Sequence, residues 1–277
     1  MARPFIEFVQ AQALPWRGGV PGDARPGVES RLLSHDDATG ACTLLVRYPA
    51  GWRSSDLHHL DVDEELFVLG GDLEIGESKH TEKSYAHLPA GYDRAGARSA
   101  GGAVVLTFFS GEPRSVPGAA PAGTLDERRL VERVDGHAGD WGGNFHPQFP
   151  PGAGRKFLRR DPIDGEETWL LGTMPLRSGR RPEKHPVVEE MFLLSGELVG
   201  HVGVMQAGAY FWRPPEEWHG PFGSKTGNLM LFRTKGGPLS TVYTDHEVDF
   251  TWTPEHRPIL PPELQTYGQS HAECRCW

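Results

Sequence analysis

Apolar residues along this chain come in short runs. Residues 44–48, 66–69, 104–109 and 229–232 are rich in Val, Leu, Phe and Tyr, and stretches bearing Gly and Pro separate them. No stretch keeps a helical period between caps. Many short strands joined by tight turns predict an all-β protein of the sandwich or jelly-roll kind.

The pattern occurs twice. Residues 27–46 read GVESRLLSHDDATGACTLLV and residues 152–171 read GAGRKFLRRDPIDGEETWLL, an offset of 125. The offset persists without a gap, pairing Glu64 with Glu189, Gly71 with Gly196, Tyr85 with Tyr210 and Pro89 with Pro214. Each copy carries an Asp-x-x-x-Gly turn between apolar runs (Asp36 and Gly40, Asp161 and Gly165), so each is expected to open on a β-hairpin. A fixed offset over so long a stretch implies two structural copies. The expected layout is an arm at 1–26, a first copy at 27–115, a linker at 116–151, a second copy at 152–245 and a Pro-rich tail at 246–277. Within the arm, residues 5–9 alternate weakly and read as an edge strand. Within the linker, residues 124–131 read as a short helix or a strand, and residues 141–147 as a loop with large apolar side chains.

Composition narrows the class. The 277 residues carry a formal net charge of −9, which counts against nucleic acid or an anionic membrane as partner. No apolar run approaches the roughly 18 residues of a membrane span. The first residues lack the apolar core of a signal peptide. Three cysteines (Cys42, Cys274, Cys276) make no disulfide framework, so a cytoplasmic protein is expected. Cys274 and Cys276, with His271 nearby, supply too few ligands for a metal site and read as tail.

The chemistry concentrates in residues 183–219. Glu183 and His185 are two apart, so on a strand they share a face. Glu189 starts the next apolar run, and His219 follows a Pro214-Pro215 turn. Two imidazoles and one or two carboxylates brought together inside a β-barrel suit a divalent metal with an open position.

These residues resemble the signatures of the cupin superfamily. His185, Glu189 and Gly196 follow the spacing of the first, H-x-H-x3–4-E-x6-G, and Gly208, Pro214 and His219 that of the second, G-x5-P-x-G-x2-H. Glu183 stands where the first His would be, Glu216 stands where a Gly is usual, and Gly223 replaces the final Asn of the second signature. The resemblance implies a bicupin: two tandem cupin jelly-roll (double-stranded β-helix) barrels, with a divalent ion in the second.

Shifting the four candidate ligands Glu183, His185, Glu189 and His219 back by the offset gives His58, Leu60, Glu64 and Arg94. Leu has no donor atom and Arg is cationic, so the first copy is expected to have lost its metal, with Arg94 free to pair with Glu64; this copy then either binds an acidic group through Arg94 or only supports the second barrel. His59 is out of phase by one residue. In the second copy, His185, His219 and Glu189 form a 2-His-1-carboxylate set, and Glu183 is either a fourth ligand or a catalytic base. Fe(II), Zn, Ni, Mn and Co all suit such a set.

The expected role is an enzyme acting on a small organic molecule. Similarity to cupin dioxygenases favours an oxygenase. The alternatives are a metal-dependent isomerase, cyclase or hydrolase with Glu183 as base, or a non-catalytic binding or sensing protein. Family analogy adds a homodimer. His201 reads as a wall residue, and His80 and His87 as surface or packing residues. Trp169, Met191, Leu193, Tyr210, Trp212 and Trp218 read as core or pocket lining.

Overall fold

The computed structural model describes residues 3–143, 151–269 and 277. The end of the 141–147 loop and the His271, Cys274 and Cys276 group lie outside the described residues. The chain forms two compact units, one of Met1–Pro4 and Leu14–Ala138, the other of Phe5–Ala13 and Gly139–Trp277. Regular structure is almost wholly β, with a few short 3-10 turns, and no helix among the described residues is long and apolar enough to cross a membrane.

The two units repeat one antiparallel sheet. In the N-terminal unit the order is Val131–Asp135, Ser84–Leu88, Glu64–Ile75, Ala103–Phe109, Cys42–Tyr48, Glu29–His35 and Arg17–Gly18. In the C-terminal unit it is Ile6–Gln10, Ala209–Arg213, Val188–Gly200, Asn228–Lys235, Glu167–Thr173 and Ala153–Arg160. The offset of 125 maps the first six strands of one order onto the other. Each unit is a cupin-type barrel with its own apolar core: Leu44, Val46, Leu66, Val68 and Val105 in the first, Trp169, Met191, Leu193, Met205 and Phe211 in the second. Each such side chain, taken out of water, contributes on the order of 1.5–3 kcal/mol.

Three features of the layout differ from the sequence reading. Residues 1–26 are not one arm: Phe5–Ala13 belongs to the C-terminal unit and the rest to the N-terminal one. The stretch read as a linker supplies a 3-10 turn, Glu127–Arg129, and the strand Val131–Asp135, which pairs with Ser84–Leu88. These two edge strands are themselves a repeat. Ile6 pairs with Trp212 and Gln10 with Ala209, while Val131 pairs with His87 and Asp135 with Ser84, so residues 6–10 correspond to 131–135 at the same offset. The first strand of each copy is built into the unit that holds the other copy, and this carries Glu7 into the C-terminal barrel.

Period-two alternation splits the paired glutamates. Glu190 faces away from the barrel axis to meet the Tyr210 hydroxyl at 2.5 Å and Arg233 at 2.7 Å, as Glu65 meets Tyr85 at 2.7 Å. Glu189 and Glu64 therefore share the inner face with Met191 and Leu66. Gly196 and Gly71 are needed just past the bulge in the long strand, where the neighbouring strand comes close. Their φ values are 75° and 78°, and a Cβ would lie 2.1 Å from the Gly227 carbonyl oxygen or 2.0 Å from that of Gly102.

Candidate metal centre

Backbone pairing sets the candidate ligands of the C-terminal barrel. Glu183 N–H donates to the His219 carbonyl and His219 N–H to the Glu183 carbonyl, both at 2.9 Å. Glu216 N–H donates to the His185 carbonyl at 2.7 Å. The segment after the Pro-Pro turn is thereby fastened across the Glu183–Lys184 strand, and residues far apart in sequence become neighbours. Glu183, His185 and His219 each offer a ligand atom within 4.8 Å of the others.

The imidazoles are held in one tautomer. His185 Nδ1 lies 2.9 Å from the Ser240 carbonyl, and His219 Nδ1 lies 2.9 Å from the Glu217 carbonyl. A carbonyl only accepts, so each Nδ1 carries a proton, and a neutral ring so held presents its lone pair at Nε2. Both Nε2 atoms are buried without a hydrogen-bond partner. Burial holds the His219 pKa well below its ordinary value, with Arg213 and His185 adding to the effect, so this ring is neutral. Pre-oriented imidazoles whose buried Nε2 atoms have no hydrogen-bond partner fit a metal ion.

Glu189 lies beside this group and is engaged elsewhere too. Its Oε1 is 3.5 Å from His185 Nε2, and its Oε2 is 3.7 Å from His219 Nε2. Arg213 Nη1 donates to the same Oε2 at 2.6 Å. The Arg213 guanidinium is buried and also grips Glu7, through Nη2 at 2.6 Å and through Nε. Burial opposes its charge, and Glu7 and Glu189 more than offset that cost. The sequence reading found neither Arg213 nor Glu7. Burial pushes the Glu183 carboxyl above its ordinary pKa, with Glu189 adding and His185 opposing. Tyr243 sits opposite Glu183 in strand register.

A cavity of about 240 Å³ opens beside the group. Trp169, Leu171, Phe211, Phe222, Met230 and Phe232 give it apolar walls, and Arg177, Arg180, Arg181 and Glu247 also border it. Trp169 stacks on Phe232 at 5.4 Å. Of the aromatic and apolar residues singled out in the sequence, only Trp169 lines this cavity; Met191, Leu193, Tyr210 and Trp212 are buried outside its lining, and Trp218 is exposed. His201 Nδ1 accepts from the Gly220 N–H at 3.3 Å, and the residue lies outside the cavity lining.

In the N-terminal barrel the corresponding positions hold an ion-paired cluster. Arg94 Nη2 donates to Glu64 at 3.1 Å, and Arg25 Nη2 donates to both oxygens of Glu64 at 2.5 Å. Leu60 packs in the core where His185 stands in the other barrel. His59 points its Nδ1 to the Gly118 carbonyl at 3.1 Å. His80 and His87 are buried packing residues.

Among solved structures, the chain is similar to a putative dioxygenase from Nostoc punctiforme, with 20% identity and a TM-score of 0.78 over 88% of this chain and 92% of that one. It is also similar to oxalate decarboxylase from Bacillus subtilis, at 13% identity and a TM-score of 0.54 over 86% and 78%. A second structure of that enzyme, solved in work on its Mn(II) centers, gives 11% identity and a TM-score of 0.57 over 86% and 79%. These likenesses establish the tandem cupin fold. No curated protein sequence matches. The model of a domain of unknown function, DUF4437, matches residues 7–240, and the chain belongs to that family.

Proposed function

We propose that the chain is a metal-dependent enzyme of the dioxygenase kind, acting in its C-terminal barrel on a small, largely apolar molecule that bears an anionic group. The observation that carries this reading is the pair of bare, buried Nε2 atoms converging with Glu183 beside a cavity. His185, His219 and Glu183 would hold the ion, with Glu189 Oε1 completing the set. A divalent ion there supplies Lewis acidity toward a substrate carbonyl or enolate oxygen, together with open coordination positions.

The chain's own residues do the rest. Arg213 fixes Glu189 and, with Glu7, sets the charge behind the ligands. The walls of Trp169, Phe211, Phe222 and Phe232 exclude water and suit a planar or branched hydrocarbon body. Arg177, Arg180, Arg181 and Arg213 stand against Glu183, Glu189 and Glu247 at the cavity and Glu7 behind Arg213, so these side-chain charges balance and a divalent ion would leave a positive surplus. An anionic substrate end offsets it. The likeness to the Nostoc protein supports the oxygenase reading, in which both atoms of O2 enter the product and no outside reductant is needed.

The test is elemental analysis of protein purified without chelator, followed by oxygen uptake with a panel of small aromatic carboxylates. One metal per chain, lost in His219→Ala, and turnover that stops without O2 are expected. Absence of metal in the natural chain sinks the proposal. Equal turnover under nitrogen moves it to an isomerase or hydrolase with Glu183 as base.

A further inference from the structure

The N-terminal barrel contains a buried charge cluster that does not balance. Arg25 and Arg94 both bind Glu64, and all three side chains are buried. Two guanidiniums thus face one carboxylate. Of the carboxylates gathered at the C-terminal site, Glu189 alone has a buried counterpart in this cluster, Glu64. His58 replaces Glu183, Glu132 replaces Glu7 but lies exposed, and Glu65 is turned away to Tyr85. Arginine stays protonated, so one positive charge remains inside, and leaving it uncompensated is costly.

The same guanidiniums carry unused donors. Arg25 Nη1 and Arg94 Nε are buried without a hydrogen-bond partner. Both residues line a cavity of about 20 Å³, with Tyr48, Trp52, Ser54 and His58 around it. Roughly 10–15 Å³ on this measure accommodates one water-sized species.

We infer that the N-terminal barrel binds one small monovalent anion, of halide size, between Arg25 and Arg94. The anion accepts from the two spare N–H groups and offsets the surplus charge. Water would accept the same hydrogen bonds and leave the charge standing. Sulfate, phosphate and larger carboxylates are too big for the space. The two copies of one fold then hold ions of opposite sign at equivalent places.

The experiment uses the full chain. Thermal unfolding is followed at constant ionic strength while chloride or bromide replaces gluconate, and crystals grown in bromide are measured at the bromine absorption edge. Expected are a saturable rise in Tm on the order of 2–4 °C with either halide, and one anomalous peak between Arg25 and Arg94. Arg94→Gln should abolish the halide dependence, and His219→Ala, in the other barrel, should keep it. Identical Tm in halide and gluconate, water alone between the guanidiniums, or halide dependence that survives Arg94→Gln would overturn the inference. The bromide map of the natural chain decides the matter even if the Arg94 variant does not fold.

Discussion

His219 and Arg94 stand at the same position of two copies of one barrel, 125 residues apart, and each meets the inner glutamate of its own copy. His219 Nε2 lies 3.7 Å from Glu189, and Arg94 Nη2 lies 3.1 Å from Glu64. One position thus offers a lone pair to a cation, while the other is itself the cation. The difference predicts that Arg94→His will not make a second metal site. Leu60 still lacks a donor, and Arg25 still holds Glu64. Metal content by elemental analysis should stay at the natural value. A gain of one ion per chain would show that the N-terminal barrel needs only the imidazole.

Arg213 is the residue on which the C-terminal cluster depends. Replacing it by Met leaves Glu7 and Glu189 buried without their cation, which should cost about 3–5 kcal/mol. Chemical denaturation should show this as a lower midpoint for the C-terminal unit. Metal binding should weaken as well, because Glu189 loses the contact that orients it. Unchanged stability would mean that Glu7 and Glu189 do not depend on Arg213 for their burial.

Much of this was legible in the sequence. The gapless offset gave the two copies, and the positions of Glu183, His185 and His219 follow from signature spacing. Arg213 and Glu7 were missed for a physical reason: they meet across 206 residues, through an edge strand exchanged between copies. A signal existed. Continued upstream, the same offset sets IEFVQ at 6–10 against VERVD at 131–135. Arg25 was missed because it lies in a Gly/Pro-rich stretch with no period to place its side chain. The pairing of Arg94 with Glu64, expected from charge alone, is present.

Acid should destabilise the N-terminal barrel through His80. Burial lowers its pKa to about 4, with Arg133 adding and Glu64 opposing, and neither ring nitrogen has a hydrogen-bond partner. The unfolded chain takes up this proton near pH 6.5, before the folded one does. Stability from the neutral ring is therefore present above about 6.5 and lost as pH falls toward 4. Between pH 7 and pH 5 the loss is about 2 kcal/mol. Unfolding midpoints measured across that range should fall less steeply in His80→Phe than in the natural chain, and parallel curves would remove His80 as the cause.

Two turns show the same backbone carrying different residues in the two copies. Glu216 has φ 67° where its counterpart Gly91 has φ 81°, and Lys83 has φ 64° where Gly208 has φ 92°. The N–H of Glu216 donates to the His185 carbonyl at 2.7 Å, and that of Gly91 donates to the Leu60 carbonyl at 2.9 Å. The left-handed turn is thus kept for the hydrogen bond that seats His185, and a Cβ there costs about 1 kcal/mol. Against that strain stands only the pair between Glu216 and Lys184, with the Glu216 side chain 58% exposed. Such a surface pair contributes about 0–1 kcal/mol. Glu216→Gly should therefore match or exceed the natural chain in Tm, and Glu216→Ala, which keeps the strain and loses the pair, should fall below both. Metal content should be unchanged in the glycine variant, since the hydrogen bond to His185 survives. An alanine variant more stable than the glycine one would mean that backbone strain is not what this position stores.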